Sequence, residues 1–210
     1  MFRLRFFDDF TRANIGANWS NAGGSGATIS GNQLIGGAGG ASDNFALAPQ
    51  FFLPGTQWCE ATFISTSNTT GDNDDGGPIV CQTISGGPQS NGYVVNVVSL
   101  PGLSQTQYNI FQVTNNSGTA LTLNVAGGTT GTIGRALVSG DRIMALRSGS
   151  TIYFFLNGVM IDNSTDSTWQ GGGTGMHLFS NTNVWDNFAC GDTEVPARDF
   201  RHFPPAYAMR

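Results

Sequence analysis

Residues 140–192 read GDRIMALRSGSTIYFFLNGVMIDNSTDSTWQGGGTGMHLFSNTNVWDNFACGD, and the opening of this stretch decides the fold class. Two short apolar segments, Arg142–Leu146 and Thr151–Leu156, are separated by Ser148-Gly149-Ser150, and Asn157-Gly158 leads directly into Val159–Ile161. Asn-Gly between strand-like runs predicts a tight hairpin, because both central residues of a type I′ turn need positive φ. Side chains alternate along a strand, so Ile152, Phe154 and Leu156 face one side and Tyr153 and Phe155 the other. Bulky groups on both faces predict an inner strand of a packed sheet. Val184–Phe188 reads as a closing strand, which makes this part of the chain antiparallel β.

The same pattern extends towards the N-terminus. Short strands are expected at Thr28–Ile29 and Gln33–Ile35 around Gly31-Asn32, then at Phe45–Leu47, Gln57–Ser65, Ile79–Ile84 and Tyr93–Val98. Tyr108–Thr114, Leu121–Val125 and Ala136–Val138 follow, separated by NNSG and the low-complexity AGGTTGTIG loop. Pro49 and Pro54 fall in a connection, Asn68–Pro78 reads as a polar loop, Gly86–Asn91 as a turn and Gly171–Gly175 as a Gly-rich turn. Turn signals every ~8–12 residues, without a helical apolar period, predict an all-β sandwich of many short strands. In residues 1–10, Phe2, Leu4 and Phe6 alternate with Arg3, Arg5 and Phe7, as a first strand or a docking arm would.

Composition narrows the function classes. The chain has 210 residues, enough for one β-sandwich, and 15 Phe to fill its core. Charged residues are 11% and glycines number 30, with no lysine at all. Such a surface is mostly Ser, Thr, Asn, Gln and Gly, which suits hydroxyl-rich ligands or burial in an assembly, where desolvating charge is costly. A net charge of -5 argues against a nucleic-acid partner. No run has the length of a membrane helix, and MFRLRFFDDF lacks the apolar core of a signal peptide, so synthesis in the cytoplasm is expected. Cys59, Cys81 and Cys190 read as buried free thiols, with a Cys59–Cys81 disulfide as the alternative.

Several segments together carry a family resemblance. "FFDDFTRANIGANWS" (Phe6–Ser20), "GGPIVCQTISGGPQSNGYVVNV" (Gly76–Val97), "GDRI…RSGSTIYFFLNG", a "DST" loop and "WDNFACGD" resemble the concanavalin A-like lectin/glucanase domains. The resemblance implies a single antiparallel jelly-roll sandwich over residues 1–192. It also implies a setting in which such domains are common, the structural proteins of tailed bacteriophages. On that basis the chain is expected to be a non-enzymatic virion component, decorating or cementing the capsid or forming part of a head or tail fibre. Its partners would be major capsid or tail proteins and copies of itself. The alternative is a carbohydrate-binding, receptor-reading module with a cell-surface glycan as partner.

The glucanases of this fold use Glu-x-Asp-x-x-Glu, and retaining hydrolysis needs two carboxyls ~5–5.5 Å apart. Here the only glutamates are Glu60 in WCEATFIS and Glu194, neither with an acid at those spacings, so no catalytic residues are assigned. His177 in GMHLFS reads as a packed or surface residue, and no nucleophile elbow accompanies it. Asp72, Asp74 and Asp75 sit in a Gly-ended loop with calcium-type ligands, a candidate Ca²⁺ site that is equally ordinary turn chemistry. Trp169 in DSTWQGGG is the candidate glycan platform, its other reading being a lid over one end of the sandwich. The last segment, 193–210, lacks strand alternation and is rich in Pro, Arg and aromatics. It is expected to be an extended tail, either folded over its own domain or acting as a docking arm. Phe2 and Phe7, with Phe200, Arg201, Phe203, Tyr207 and Arg210, are the candidate assembly contacts.

Overall fold

The computed structural model describes residues 2–17, 19–22, 26–36, 43–52, 55–66, 75–84, 89–179 and 183–193. In chain order the strands are β1 (Phe2–Asp8), β2 (Ser20–Ala22), β3 (Ala27–Ser30), β4 (Gln33–Gly36), β5 (Asp43–Phe52), β6 (Gln57–Thr66), β7 (Asp75–Ile84) and β8 (Ser90–Leu100). After a 3₁₀ turn at Pro101–Leu103 come β9 (Gln105–Thr114), β10 (Ser117–Ala120), β11 (Gly131–Ile133), β12 (Arg142–Ser148), β13 (Thr151–Leu156), β14 (Val159–Thr165), β15 (Gly172–Phe179) and β16 (Asn183–Thr193). They form two antiparallel sheets. The first runs β14-β13-β12-β6-β16-β4-β3, with β1 also paired to β16; the second runs β10-β9-β8-β7-β15-β5-β2, with β11 paired to β9.

The decisive hairpin forms where the sequence places it. Asn157 and Gly158 have φ of 53° and 81°, and β13 lies inside the sheet between β12 and β14. Ile152, Phe154 and Leu156 enter the core between the sheets, whereas Phe155 and Tyr153 join Trp58, Met144 and Leu146 on the outer face. The main core is aromatic at both ends: Trp19 meets Phe188 edge-on at 5.0 Å, and Trp185 meets Phe63 at 5.6 Å. Edge-to-face pairs of this kind add stability beyond their buried area. Cys59, Cys81 and Cys190 are free and buried, the first reading of the three thiols.

Buried carboxylates hold the irregular segments. Asp8 accepts hydrogen bonds from both Arg12 guanidinium nitrogens, from Trp19 Nε1 at 2.7 Å and from Phe10 N at 2.9 Å, which fastens the first turn onto the core. Asp162, 0% exposed, accepts from Tyr108 Oη at 3.0 Å across the two sheets, and from the backbone of Val125, Ala126 and Asn163. Asp141 accepts from Arg135, Val138 N and Asn157 Nδ2. Each carboxylate thus satisfies donors that would otherwise be orphaned.

Several expectations are corrected. Leu121–Val125 forms no strand, because its backbone is divided among different partners: Leu121 N donates to Ile110 O, Asn124 N to Asn163 O and Val125 N to Asp162. The hairpin after β9 closes instead at Asn115-Asn116, both with positive φ, and β10 follows. Ala136–Val138 is irregular because Leu137 N and Val138 N are taken by the side chains of Ser99 and Asp141. The AGGTTGTIG stretch contains β11, whose Gly131 is required by packing: a Cβ there would stand 2.0 Å from Tyr108 Cζ. The Gly171–Gly175 stretch is the start of β15 rather than a turn; a Cβ on Gly172 would meet Gln82 O at 2.5 Å. Asp75–Pro78 belongs to β7, so the polar loop ends earlier than expected. Pro49 lies within β5, in the gap between the Leu47–Gly175 and Phe51–Gly173 pairs, where a missing N–H breaks no ladder bond.

The N-terminal segment is a regular strand, and its side chains do not alternate simply. The register against β16 shifts between Leu4 and Phe6. This bulge turns Phe6 inward onto Trp19 and Phe188, while Phe2 stays on the outer face, edge-on to Trp58 at 5.7 Å. Phe7, opposite Ala189, is outward as well and 41% exposed.

Candidate functional site

The outer face of the second sheet is the more polar of the two. Val94, Asn96 and Val98 on β8 alternate with the core residues Tyr93, Val95 and Val97. Across the sheet, Asn96 pairs with Asn109 of β9, and Gly77 of β7 pairs with His177 of β15. Since Gly76 pairs with Val97, Gly77 lies beside Asn96, and the four positions form one row across four strands. His177 Nδ1 lies 3.3 Å from Asn96 Oδ1, and Asn109 Nδ2 donates to Thr129 O at 2.6 Å and Thr130 Oγ1 at 2.9 Å. His177 and Asn96 are buried; Asn109, Gln107 and Phe111 are half-buried and form the open end. Beside the row, Ile79, Val94 and Val113 make an apolar cluster against which Phe111 packs.

Chemically, this face offers amides and an imidazole next to an apolar and aromatic surface. Amides supply both donors and acceptors, and a ring edge supplies a platform, the combination that orients a polyhydroxylated ligand. In the sequence alone His177 reads as a packed or surface residue, and Asn96 and Asn109 carry no motif. The available signal was their period-two placement among β-branched residues: a polar side chain at the outward position of a buried strand.

The other candidates lie elsewhere. Trp169 is half-buried against the core at one end of the sandwich, its backbone N donating at 2.9 Å to Tyr93 Oη, while its Nε1 is buried with no acceptor among the described residues. Tyr93 donates in turn to Asp166. Burial and this bond push the Tyr93 hydroxyl pKa well up; for Asp166 burial acts in the same direction, but bonds from Tyr93 and Thr168 outweigh it and lower the value. This is the geometry of a lid.

Glu60 stands on the outer face of the first sheet with Met144 and Ala189 as cross-strand neighbours and Arg142 Nη1 at 3.5 Å. Burial raises its pKa, against the opposing charge of Arg142. Among the described residues its immediate setting is therefore a cation and apolar groups, rather than a second carboxyl. Of the calcium candidates, Asp72 and Asp74 lie outside the described residues, and for Asp75 only the backbone, at the start of β7, is described. Among the described residues there is no group of three or more His, Cys, Asp or Glu able to hold a metal. Phe200, Arg201, Phe203, Tyr207 and Arg210 also lie outside the described residues. No described helix is long and apolar enough to cross a membrane.

No family model matches the chain, and no curated protein matches it. Solved structures do share its fold. The carbohydrate binding module CBM66 from Bacillus subtilis is 14% identical and superposes with a TM-score of 0.62, covering 83% of this chain and 96% of its own. A Bacillus subtilis protein of unknown function with a galectin-like fold is 12% identical, with a TM-score of 0.63 and coverage of 91% and 98%. The β-glucanase of Bacillus licheniformis is 11% identical, with a TM-score of 0.51 and coverage of 90% and 98%. The fold is thus an all-β, two-sheet jelly-roll sandwich like that of these structures, as the sequence segments imply.

Proposed function

We propose that the chain is a non-catalytic carbohydrate-binding domain that takes a glycan on the outer face of its second sheet, around Asn109, Gln107 and Phe111. The observation that carries the reading is the amide row from Asn96 to Asn109 beside the half-buried ring of Phe111. The fold likeness to a carbohydrate-binding module supports it, and so does a surface poor in charge and rich in amides and hydroxyls. Amide side chains would exchange hydrogen bonds with sugar hydroxyls, and Phe111 would cover an apolar sugar face. The setting of Glu60 supports the absence of glycan cleavage from the function. The test is a glycan array followed by titration calorimetry on Asn109→Ala and Phe111→Ala. Each substitution should weaken a hit about tenfold or more, the scale of one buried polar or aromatic contact. A hit that both variants bind as tightly as the parent would sink the assignment to this face.

A second reading has its own observation. Leu4 and Phe7 on β1, and Val159 and Met160 on β14, are large apolar side chains, 41–63% exposed, at the two margins of the first sheet. They suit contacts in an assembly, and together with the sequence resemblance they support the reading of a virion component whose partners would be capsid or tail proteins. The two readings coincide in a receptor-reading tail domain. Mass spectrometry of purified particles would separate a virion protein from a free lectin-like one.

A further inference from the structure

Arg5, Arg12, Arg135 and Arg142 each face a carboxylate, that of Asp192, Asp8, Asp141 and Glu60 respectively. Arg147 of β12 is 3% exposed and has no carboxylate partner among the described residues. Its Nη1 donates to Gly55 O and to Gln170 O, each at 3.1 Å, and its Nε is buried with no acceptor among the described residues. Taking a charge out of water is costly unless an opposite charge or a full set of hydrogen bonds replaces the water. The two carbonyls satisfy only Nη1. The edge left over carries Nε and Nη2, two parallel N–H donors in the fork that matches the two oxygens of a carboxylate.

Gln57 adds to the same deficit. Arg147 pairs with Gln57 across β12 and β6, so the two side chains stand side by side on one face of the sheet. Gln57 Oε1 accepts from Cys81 N at 2.9 Å, which places that face between the sheets. Gln57 is 0% exposed, and its Nε2 has no acceptor among the described residues. Burial pushes the Cys81 thiol pKa up, and the nearby Arg147 charge opposes it, as a cation within the same layer must. The neighbouring carboxylates are already engaged. Asp192 stands beyond Gln57 in the same cross-strand row and takes three bonds from Arg5; Asp166 is held by Tyr93 and by Thr168 N. Gly55 and Gln170, whose carbonyls hold Nη1, are exposed, so the guanidinium lies directly beneath the surface where the 55–56 and 166–171 segments meet.

We propose that this end of the sandwich is a second ligand site, in which Arg147 and Gln57 bind the carboxylate group of a small organic acid or an acidic sugar. The Nε–Nη2 fork takes both carboxylate oxygens, and Gln57 Nε2 donates to one of them. Charge favours a carboxylate over a phosphate: one unpaired cation is neutralised by one negative charge, whereas a phosphate monoester brings nearly two. The site lies between the sheets and is separate from the Asn109 face.

Titration calorimetry and thermal melts of the full chain test the proposal with sodium acetate and sodium glucuronate, against glucose and against sodium chloride at equal ionic strength. Both carboxylates should bind saturably and raise the melting temperature with concentration, as ligands of the folded state do, and neither control should. Arg147→Lys keeps the charge but loses the fork, and should weaken binding at least about tenfold. Gln57→Glu supplies the missing anion from within the chain. It should abolish carboxylate binding and yet melt no lower than the parent, whereas a buried carboxylate without a partner would destabilise the fold. Glucuronate binding more tightly than acetate would make an acidic sugar the source, and acetate binding at least as tightly a free acid; both support the site. No saturable carboxylate binding by the parent, or binding that either variant leaves intact, would overturn the proposal. So would glucose binding as tightly as glucuronate. Array hits that depend on Asn109 report on the other face, so each assignment can fail without the other.

Discussion

Asp162 joins the two sheets and the 121–128 turn, so its removal should be among the more damaging single changes. Its Oδ2 accepts from Tyr108 Oη at 3.0 Å and Ala126 N at 3.0 Å, and its Oδ1 from Val125 N at 2.9 Å and Asn163 N at 2.7 Å. Asp162→Ala strands all four donors. The Tyr108 hydroxyl belongs to a residue only 4% exposed and should bear the full penalty of an unpaired buried group, ~1–3 kcal/mol. Val125 and Ala126 sit on an exposed turn that water can reach, so their amides should lose about 0.5–1 kcal/mol each. With Asn163 the sum is about 3–5 kcal/mol. Asp162→Asn keeps one acceptor oxygen but points an NH₂ at backbone donors, and should cost about 2–3 kcal/mol. Tyr108→Phe removes one bond and leaves the carboxylate its three amides, for about 1 kcal/mol. Urea unfolding measures each cost from the midpoint and slope. The double variant is decisive: once Asp162 is alanine, Tyr108→Phe deletes an orphan and should cost nothing or restore stability. Costs that add to within about 0.5 kcal/mol would refute the shared hydrogen bond, because coupled neighbours are non-additive.

Two further outcomes follow from buried titratable groups. Burial drives the thiols up, Cys81 and Cys190 to about 12 and Cys59 well above its ordinary value, so Ellman's reagent at pH 8 should label none until denaturant is added; rapid labelling of the native protein would contradict the buried placement. Stability should also pass through an optimum in mildly acidic solution. Burial raises the folded Glu60 pKa, so stability is gained as pH falls through that value, and Glu60→Gln should flatten this limb of the profile. For Asp8, burial is outweighed by bonds from Arg12, Trp19 and Phe10, and the folded pKa is lowered. Its contribution is present above the unfolded value of ~3.9 and lost as pH falls through the folded one, so Asp8→Asn should blunt the acid limb measured by thermal melts.

The candidate site was less legible than the fold. Asn96 and Asn109 stand in strands that read correctly as β, YVVNVVSL and QYNIFQVT, but their adjacency depends on register, which places residues from separate strands side by side. His177 looked isolated because its row-mates are far away in sequence. Trp169 drew attention as an aromatic in a polar loop, and what packs it down, the Tyr93 hydroxyl, is contributed by a distant strand. Phe2 and Phe6 share a parity in the sequence and yet face opposite sides, since a bulge against β16 has no signature in the first strand alone.

The sequence by itself determined the all-β class, the Asn157-Gly158 hairpin and the inner position of Thr151–Leu156, because φ preferences and period-two alternation are local properties of the chain. It also determined which side chains are apolar enough for a core and that Glu60 lacks the spaced acids of a glucanase. Only the tertiary structure decided that Leu121–Val125 bridges the sheets instead of joining one, that the glycines after Trp169 line a strand, and which polar groups share a face. Those outcomes turn on where hydrogen-bond partners and neighbouring backbones arrive in space. Gly131 shows why: nothing beside it in the chain requires a glycine, whereas the Tyr108 ring, held by Asp162 from the opposite sheet, leaves no room for a Cβ.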